Sequence, residues 1–341
     1  MRISTLPAFF ASCTTLLLSS QLLLAQTDGP YKITHTSVLG GEGGWDYVVP
    51  DPATHRIFIA RGTHLMVVDE DSGKLIGEVA DIHGAHGTAI APTYGFASSA
   101  QDKTVAMFDL KTLKVISRSP AQEDTDAAIY DAPSNRVFTM NGDAASATVV
   151  DASTGKTITN IALGGKPEYA VSAGDGKIYA DIADKDEIVE IDARKATVLR
   201  RWPTAPCKQP TSLTIDSAHH RLFTGCRSGV LAVSDTTTTG KVITTLPIGK
   251  GVDASGFDPA LGDIFSSCGD GTFTIIHEDT PDKYHVLQTL ATPIGSRNLG
   301  VDPTTHTIFV VAADFGPVPV GGRRGPVLPG TFKLLTIERQ P

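Results

Sequence analysis

Seven segments of this chain repeat one phrase at a spacing near 40 residues, and that period limits the fold more than any other feature. "DPATHRIFIARG" at 51–62 returns as "DAPSNRVFTMNG" (131–142), "DSAHHRLFTGCR" (216–227), "DPALGDIFSSCG" (258–269) and "DPTTHTIFVVAA" (302–313). Two shorter copies are "APTYGFASSA" (91–100) and "SAGDGKIYADI" (172–182). Each copy sets one aromatic in an apolar strand: Phe58, Phe96, Phe138, Tyr179, Phe223, Phe265 and Phe309, at successive differences of 38, 42, 41, 44, 42 and 44. A period near 40 made of short β segments is that of a propeller blade.

The rest of each unit agrees. An alternating apolar strand ending in Asp follows, as in "HLMVVD" (64–69), "VAMFD" (105–109), "ATVVD" (147–151) and "EIVEID" (187–192). Then come a turn ("EDSGK", "ASTGK", "TTTTGK") and a fourth strand ("LIGEV", "TITNI", "VITTL"). Gly in such turns supplies the positive φ of a tight hairpin, and 33 Gly with 21 Pro suit a chain of many short strands. The seventh unit stops at its third strand, "TFKLLTIE" (331–338), whereas the unassigned "YKITHTSVLG" (31–40) resembles the fourth strand "KVITTLPIG" (241–249). The expected fold is therefore all-β: one domain over 26–341, a seven-bladed β-propeller of four-stranded blades. Residues 31–40 are expected as the outer strand of the last blade, closing the ring and covering an open edge.

Residues 1–25 read as a signal peptide: Arg2, a broken apolar run to Leu24, and Ala25 before the cut. Ser and Thr interrupt the run, which favours a leader over an anchor, and the stretch before Cys13 is short for a lipoprotein site. No later segment is long and apolar enough to span a membrane, so a periplasmic or secreted protein is expected. Net charge is −8, and −9 once Arg2 leaves with the leader. That sign argues against a nucleic-acid partner, which needs clustered Lys and Arg. Three cysteines remain in the mature chain. Cys207 precedes the first strand of blade five and Cys226 ends the second, ends that are neighbours in an antiparallel pair, so a disulfide is expected. Cys268 is left over, either buried or reaching the rim.

In a propeller the loop entering each inner strand and the loop between the second and third strands share one rim, where binding groups gather. Five residues before the repeat Asp, allowing for the two shorter copies, the seven units place Asp46, His86, Asp126, Glu168, Thr211, Asp253 and Arg297. Crowded carboxylates repel unless they share a cation, and oxygen ligands suit Ca²⁺ or Mg²⁺. With His86 added, a transition metal enters. The candidate metal set is Asp46, His86, Glu168 and Asp253; the alternative is that these acids cap their own turns. "HGAHG" sets His83 and His86 three apart, for a metal, a general base or a solvated loop. Trp45 could be an aromatic platform for a sugar or cation or could pack between blades. His55, His220 and His306 share one turn slot on the opposite rim and, with His277, read as architecture. Between strands two and three of blade seven, "ADFGPVPVGGRRGPVLPG" (313–330) replaces a short turn. This long rim loop is a candidate lid or partner contact through Arg323 and Arg324.

The Asp-Pro turn leading to [IVL]-[FY], with the later Asp-x-x-Thr-Gly-Lys turn, resembles the YVTN-repeat (YncE-like) β-propellers over 31–341. The resemblance implies exported proteins of varied role, with kinship to propeller subunits of amine dehydrogenases and to propeller lactonases. It designates no active residue. The chain has no Gly-rich phosphate loop, G-x-S-x-G elbow, haem C-x-x-C-H or zinc C-x-x-C. Three functions stay open. One is an exported binding or scaffold module taking a small-molecule ligand or another exported protein at the channel mouth. Another is a metal-dependent, lactonase-like hydrolase, with Asp46, Glu168, Asp253 and Asn298 around one cation that polarises an ester carbonyl or activates water. The last is an accessory subunit of a periplasmic redox enzyme.

Overall fold

The structure is a computed structural model that describes residues 28–319, 321 and 325–341; the expected leader, 1–25, lies outside them. Twenty-eight strands form seven four-stranded antiparallel sheets, with no helix among the described residues. Blade one runs Val48–Asp51, Arg56–Ala60, Leu65–Asp69 and Leu75–Val79 from the channel outward, and the next five blades repeat this meander. Blade seven runs Leu299–Asp302, Thr307–Ala312, Lys333–Arg339 and then Tyr31–Val38, so the chain's first strand closes the ring as expected. It lies antiparallel to Lys333–Arg339, with Tyr31 opposite Arg339 and Val38 opposite Lys333.

The repeated aromatics explain why blades stack. All seven are buried, and each falls in a different apolar cluster, one per blade interface: Phe58 between blades one and two, Phe309 between seven and one, and so round the ring. A blade alone leaves this side chain in water; a neighbour removes it, at about 2–3 kcal/mol for a buried Phe. The repeat Asp is buried as well because it closes its own turn. Asp131 Oδ2 accepts Ser134 N–H at 3.0 Å and Asp302 Oδ1 accepts Thr304 N–H at 2.7 Å. Each turn needs one left-handed residue, and His55 (φ 51°), Asn135 (52°), His220 (58°), Gly262 (67°) and His306 (58°) occupy that slot. His277, which replaces the Asp ending a third strand, pairs with buried Asp263 at 2.7 Å.

Cys207 and Cys226 form a disulfide with Cα atoms 5.7 Å apart. Cys268 is fully buried, and burial pushes its thiol far above the usual range. It does not reach the rim.

Candidate functional site

Where the inner strands of blades two to six enter the channel, they depart from regular pairing. The register shifts between Ala85 and Thr88, Thr125 and Ala128, Pro167 and Ala170, Pro210 and Ser212, and Val252 and Ala254. These irregularities hold His86, Asp126, Glu168, Thr211 and Asp253. A β-bulge leaves a residue unpaired and re-aims its side chain; here the strands of blades two, three, four and six each turn one side chain into the mouth. The amides freed by bulging find side chains instead. Gly87 N–H donates to Ser98 Oγ at 2.8 Å, while Glu168 and Tyr169 N–H donate to buried Asp181 Oδ1 at 3.2 and 2.8 Å. Gly87 is also required by close approach, because a Cβ there would stand 2.4 Å from Ala128 N and 2.5 Å from Asp126 O in blade three. In blades one and seven, Asp46 and Arg297 reach the same place from just before the inner strand.

The side chains form two connected groups. His86 Nδ1 lies 2.7 Å from Asp46 Oδ2 and 3.7 Å from Asp126 Oδ1, and ligand atoms of these three residues all come within 4.8 Å of one another. Asp126, absent from the expected metal set, thus stands inside this trio. Asp253 is held by Arg227 Nη2 at 3.2 Å and Arg297 Nε at 3.0 Å. Asn298, fully buried, joins the groups through Nδ2, which donates to Asp46 Oδ1 at 3.1 Å and Asp253 Oδ2 at 3.4 Å. Thr211 turns away and donates to Val252 O at 2.7 Å.

Below these groups Tyr47 crosses the channel from blade one. Its hydroxyl donates to Glu168 O at 3.4 Å and its ring meets Tyr169 of blade four at 5.0 Å between centroids. The two rings floor the mouth. On their other side opens a funnel of about 480 Å³, with Val49, Ile90, Ile129 and Tyr130 among its walls. The ring therefore has two unlike ends, one ionic and one of mixed polar and apolar lining, in which Thr88, Ser172 and Thr214 join the apolar residues.

Burial first, then the charges of Asp126, Asp46, Asp253 and Glu168, hold the Tyr47 phenol in its neutral form. The charges of all four expected carboxylates therefore act on one hydroxyl. Burial and the Asp46 charge push Asp126 well above the usual carboxylate range, with His86 opposing. Burial also raises Glu168, against Arg227, and raises Asp253, against Arg297 and Arg227. Burial lowers His86, but the Asp46 hydrogen bond and the charges of Asp126 and Asp46 outweigh it, to about 9. Asp126 Oδ1 and Asn298 Oδ1 are both buried without a hydrogen-bond partner. A buried polar atom so left costs about 1–3 kcal/mol, and each would accept from, or coordinate, a positive ligand.

The other expected site residues lie apart. His83 pairs with Asp102 at 3.0 Å on its own blade, away from His86. Trp45 packs between blades one and seven, against Phe332 at 5.4 Å and Phe315 at 6.0 Å, rather than presenting a free face. Phe315 belongs to the long rim loop, which folds back on itself through Gly316 N–H to Pro326 O and Leu328 N–H to Asp314 O, both 2.8 Å. Arg323 and Arg324 lie outside the described residues. Two cations escaped the sequence reading. Arg227 ends the second strand of blade five and joins the mouth. Arg61, one slot earlier in the repeat of blade one, is buried over the Phe332 ring at 3.9 Å and donates to the carbonyls of Gly43, Gly44 and Glu42. An Arg directly after the aromatic strand, in two units of seven, was the available signal.

No protein-family model and no curated protein matches the sequence. Among solved structures the chain is similar to hydrazine synthase of Kuenenia stuttgartiensis, with a TM-score of 0.68 and 14% identity over 85% of this chain and 95% of that one. It is also similar to U3-55K, with a TM-score of 0.74 and 9% identity over 88% of this chain and 98% of that one. At these identities the likeness is one of fold alone.

Proposed function

We propose that the protein is an exported binding propeller whose ionic mouth captures a positively charged group, either a divalent metal ion or the cationic end of a small ligand. The observation that carries this reading is the pair of buried, unpartnered acceptors, Asp126 Oδ1 and Asn298 Oδ1, beside the Asp46–His86–Asp126 trio. Carboxylates at a rigid channel mouth with acceptors left open favour a cation over an anion or a neutral sugar. The repeat phrase supports a place among the YVTN-repeat propellers, and the Cys207–Cys226 disulfide suits an oxidising compartment. No role is carried over from the two solved neighbours.

The test is the melting temperature of the mature chain, purified from chelator, with Mn²⁺, Ca²⁺ or a short diamine. A ligand at 100 times its Kd adds about 2.7 kcal/mol to stability. Expected is a rise with one of the three that Asp126→Asn reduces by most of its size. No shift with any of them, or a shift that survives Asp126→Asn, would overturn the reading. The convergence of Asp46, His86 and Asp126 also suits metal-assisted hydrolysis. Ion-dependent turnover of a lactone that His86→Ala abolishes would establish that second reading over simple binding.

A further inference from the structure

We propose that Asp216, His219 and Glu278 form a divalent-cation site of the zinc type on the face opposite the ionic mouth, clipping blade five to blade six. The two blades contribute differently. Asp216 ends the inner strand of blade five and His219 lies three residues later in its turn. Glu278 belongs to the outer hairpin of blade six, Thr272–Thr280 and Lys283–Ala291, whose strands are nine residues long where most others have six. This extension reaches over blade five, where Arg221 Nε donates to Pro281 O at 2.7 Å and Nη2 pairs with Asp282 at 2.8 Å.

Ligand atoms of the three side chains all come within 4.8 Å of one another. His219 Nδ1 is 2.5 Å from Asp216 Oδ2 and 3.4 Å from Glu278 Oε1. Zinc with N and O ligands near 2.0–2.2 Å in a tetrahedral site holds those ligands about 3.3 Å apart, a spacing that lies between the two His219 distances. The independent observation is Glu278 itself. Its side chain is only 5% exposed, and neither carboxylate oxygen has a hydrogen-bond partner. A buried carboxylate left in that state is costly without a cation. Arg221, the other charge nearby, is spent on Asp235 and Asp282. A divalent ion held by the three side chains would neutralise both carboxylates. One imidazole with two carboxylates suits zinc-type ions; Ca²⁺ takes six to eight oxygens.

The same corner between blades seven and one shows what the architecture alone demands. There Glu70 faces Asp302, and Thr305, in the slot of His219, donates to Glu70 Oε1 at 3.1 Å. That corner offers a hydroxyl to one Glu70 oxygen and leaves Glu70 Oε2 and Asp302 Oδ2 without a hydrogen bond, whereas blade five places an imidazole, a metal-ligating group, between its two acids.

The experiment measures zinc bound per mature chain by equilibrium dialysis in excess Ca²⁺, for the native protein, His219→Ala, Glu278→Gln and the mouth variant Asp126→Asn. Expected is a zinc stoichiometry that falls by one in His219→Ala and in Glu278→Gln, with this site retained in Asp126→Asn. Losing a group that only orients a ligand weakens metal affinity about 10–100-fold, and losing a ligand costs at least as much. Co²⁺ loading in the Asp126→Asn background gives a second readout: visible d–d absorption that the further change His219→Ala removes. A native chain that takes up no zinc, or a His219→Ala chain that holds as much as the native one, overturns the proposal in favour of a proton-bridged ion pair. Should Glu278→Gln fail to fold, His219→Ala carries the test alone, since its ring is 54% exposed. Because the mouth is probed separately by Asp126→Asn, loss of one site is distinguishable from loss of the other.

Discussion

His86 keeps its proton because of what surrounds it. Burial works against the charge, but Asp46 accepts its N–H at 2.7 Å and Asp126 stands behind, so the imidazole titrates at about 9 in place of 6.5. A folded-state value above the unfolded one stabilises the protein below the unfolded value. This contribution is therefore fully present below about pH 6.5 and lost as the pH rises through about 9. A histidine-resolved NMR titration should place the His86 midpoint near 9, and Asp46→Asn should bring it down toward 6.5; a midpoint indifferent to Asp46 would remove this account. A cation that displaces the proton should bind about tenfold more tightly per pH unit on approach to 9.

Within a blade, the elements carry both the site and its supports. Arg227 follows Cys226 directly, and the disulfide ties the end of that strand to the residues leading into the inner strand. The bridge thereby fixes the base from which Arg227 reaches Asp253. Its two sulfurs close a loop with a sequence separation of 19, for which about 3 kcal/mol of stabilisation is expected. The double variant Cys207→Ala, Cys226→Ala should lose about 2–4 kcal/mol in urea unfolding and leave blade order unchanged; an unaltered midpoint would mean that the bridge contributes nothing. The bulges are the element-scale device that matters most for function. Without them, residues such as Asp126 and Asp253 would alternate regularly along their strands, and the mouth would lose these acids from beside Asp46 and Arg297.

For the whole molecule, closure decides whether there is a mouth at all. The first strand covers Lys333–Arg339 and also grips blade six: Tyr31, fully buried, donates through its hydroxyl to Asp263 at 2.6 Å and through its backbone to Gln288 Oε1 at 2.8 Å. Removing residues 28–38 strands an edge and leaves two buried polar groups without these partners. The loss should be on the order of 5 kcal/mol or more, read as a lower and broader thermal transition that a peptide of residues 28–38 partly restores. A shortened chain that melts as sharply and as high as the native one would show that the ring closes without its velcro strand.

The sequence by itself determined the seven blades, their four strands, the closing strand and the disulfide. These depend on local signals repeated near every 40 residues: a buried aromatic, an Asp-led turn, a left-handed slot filled by His, Asn or Gly. Ring position also picked out Asp46, His86, Asp126, Glu168 and Asp253 as rim residues. The tertiary structure alone decided which of them meet. Asn298 bridges to Asp46 across 252 residues of sequence, Tyr47 to Glu168 across 121, and Glu278 faces Asp216 because one hairpin is longer than its siblings. Such contacts arise from bulge geometry and from the curvature that brings blades one and seven together. Neither leaves a periodic trace, and nothing local to Tyr47 or Arg227 marks them as residues of the mouth.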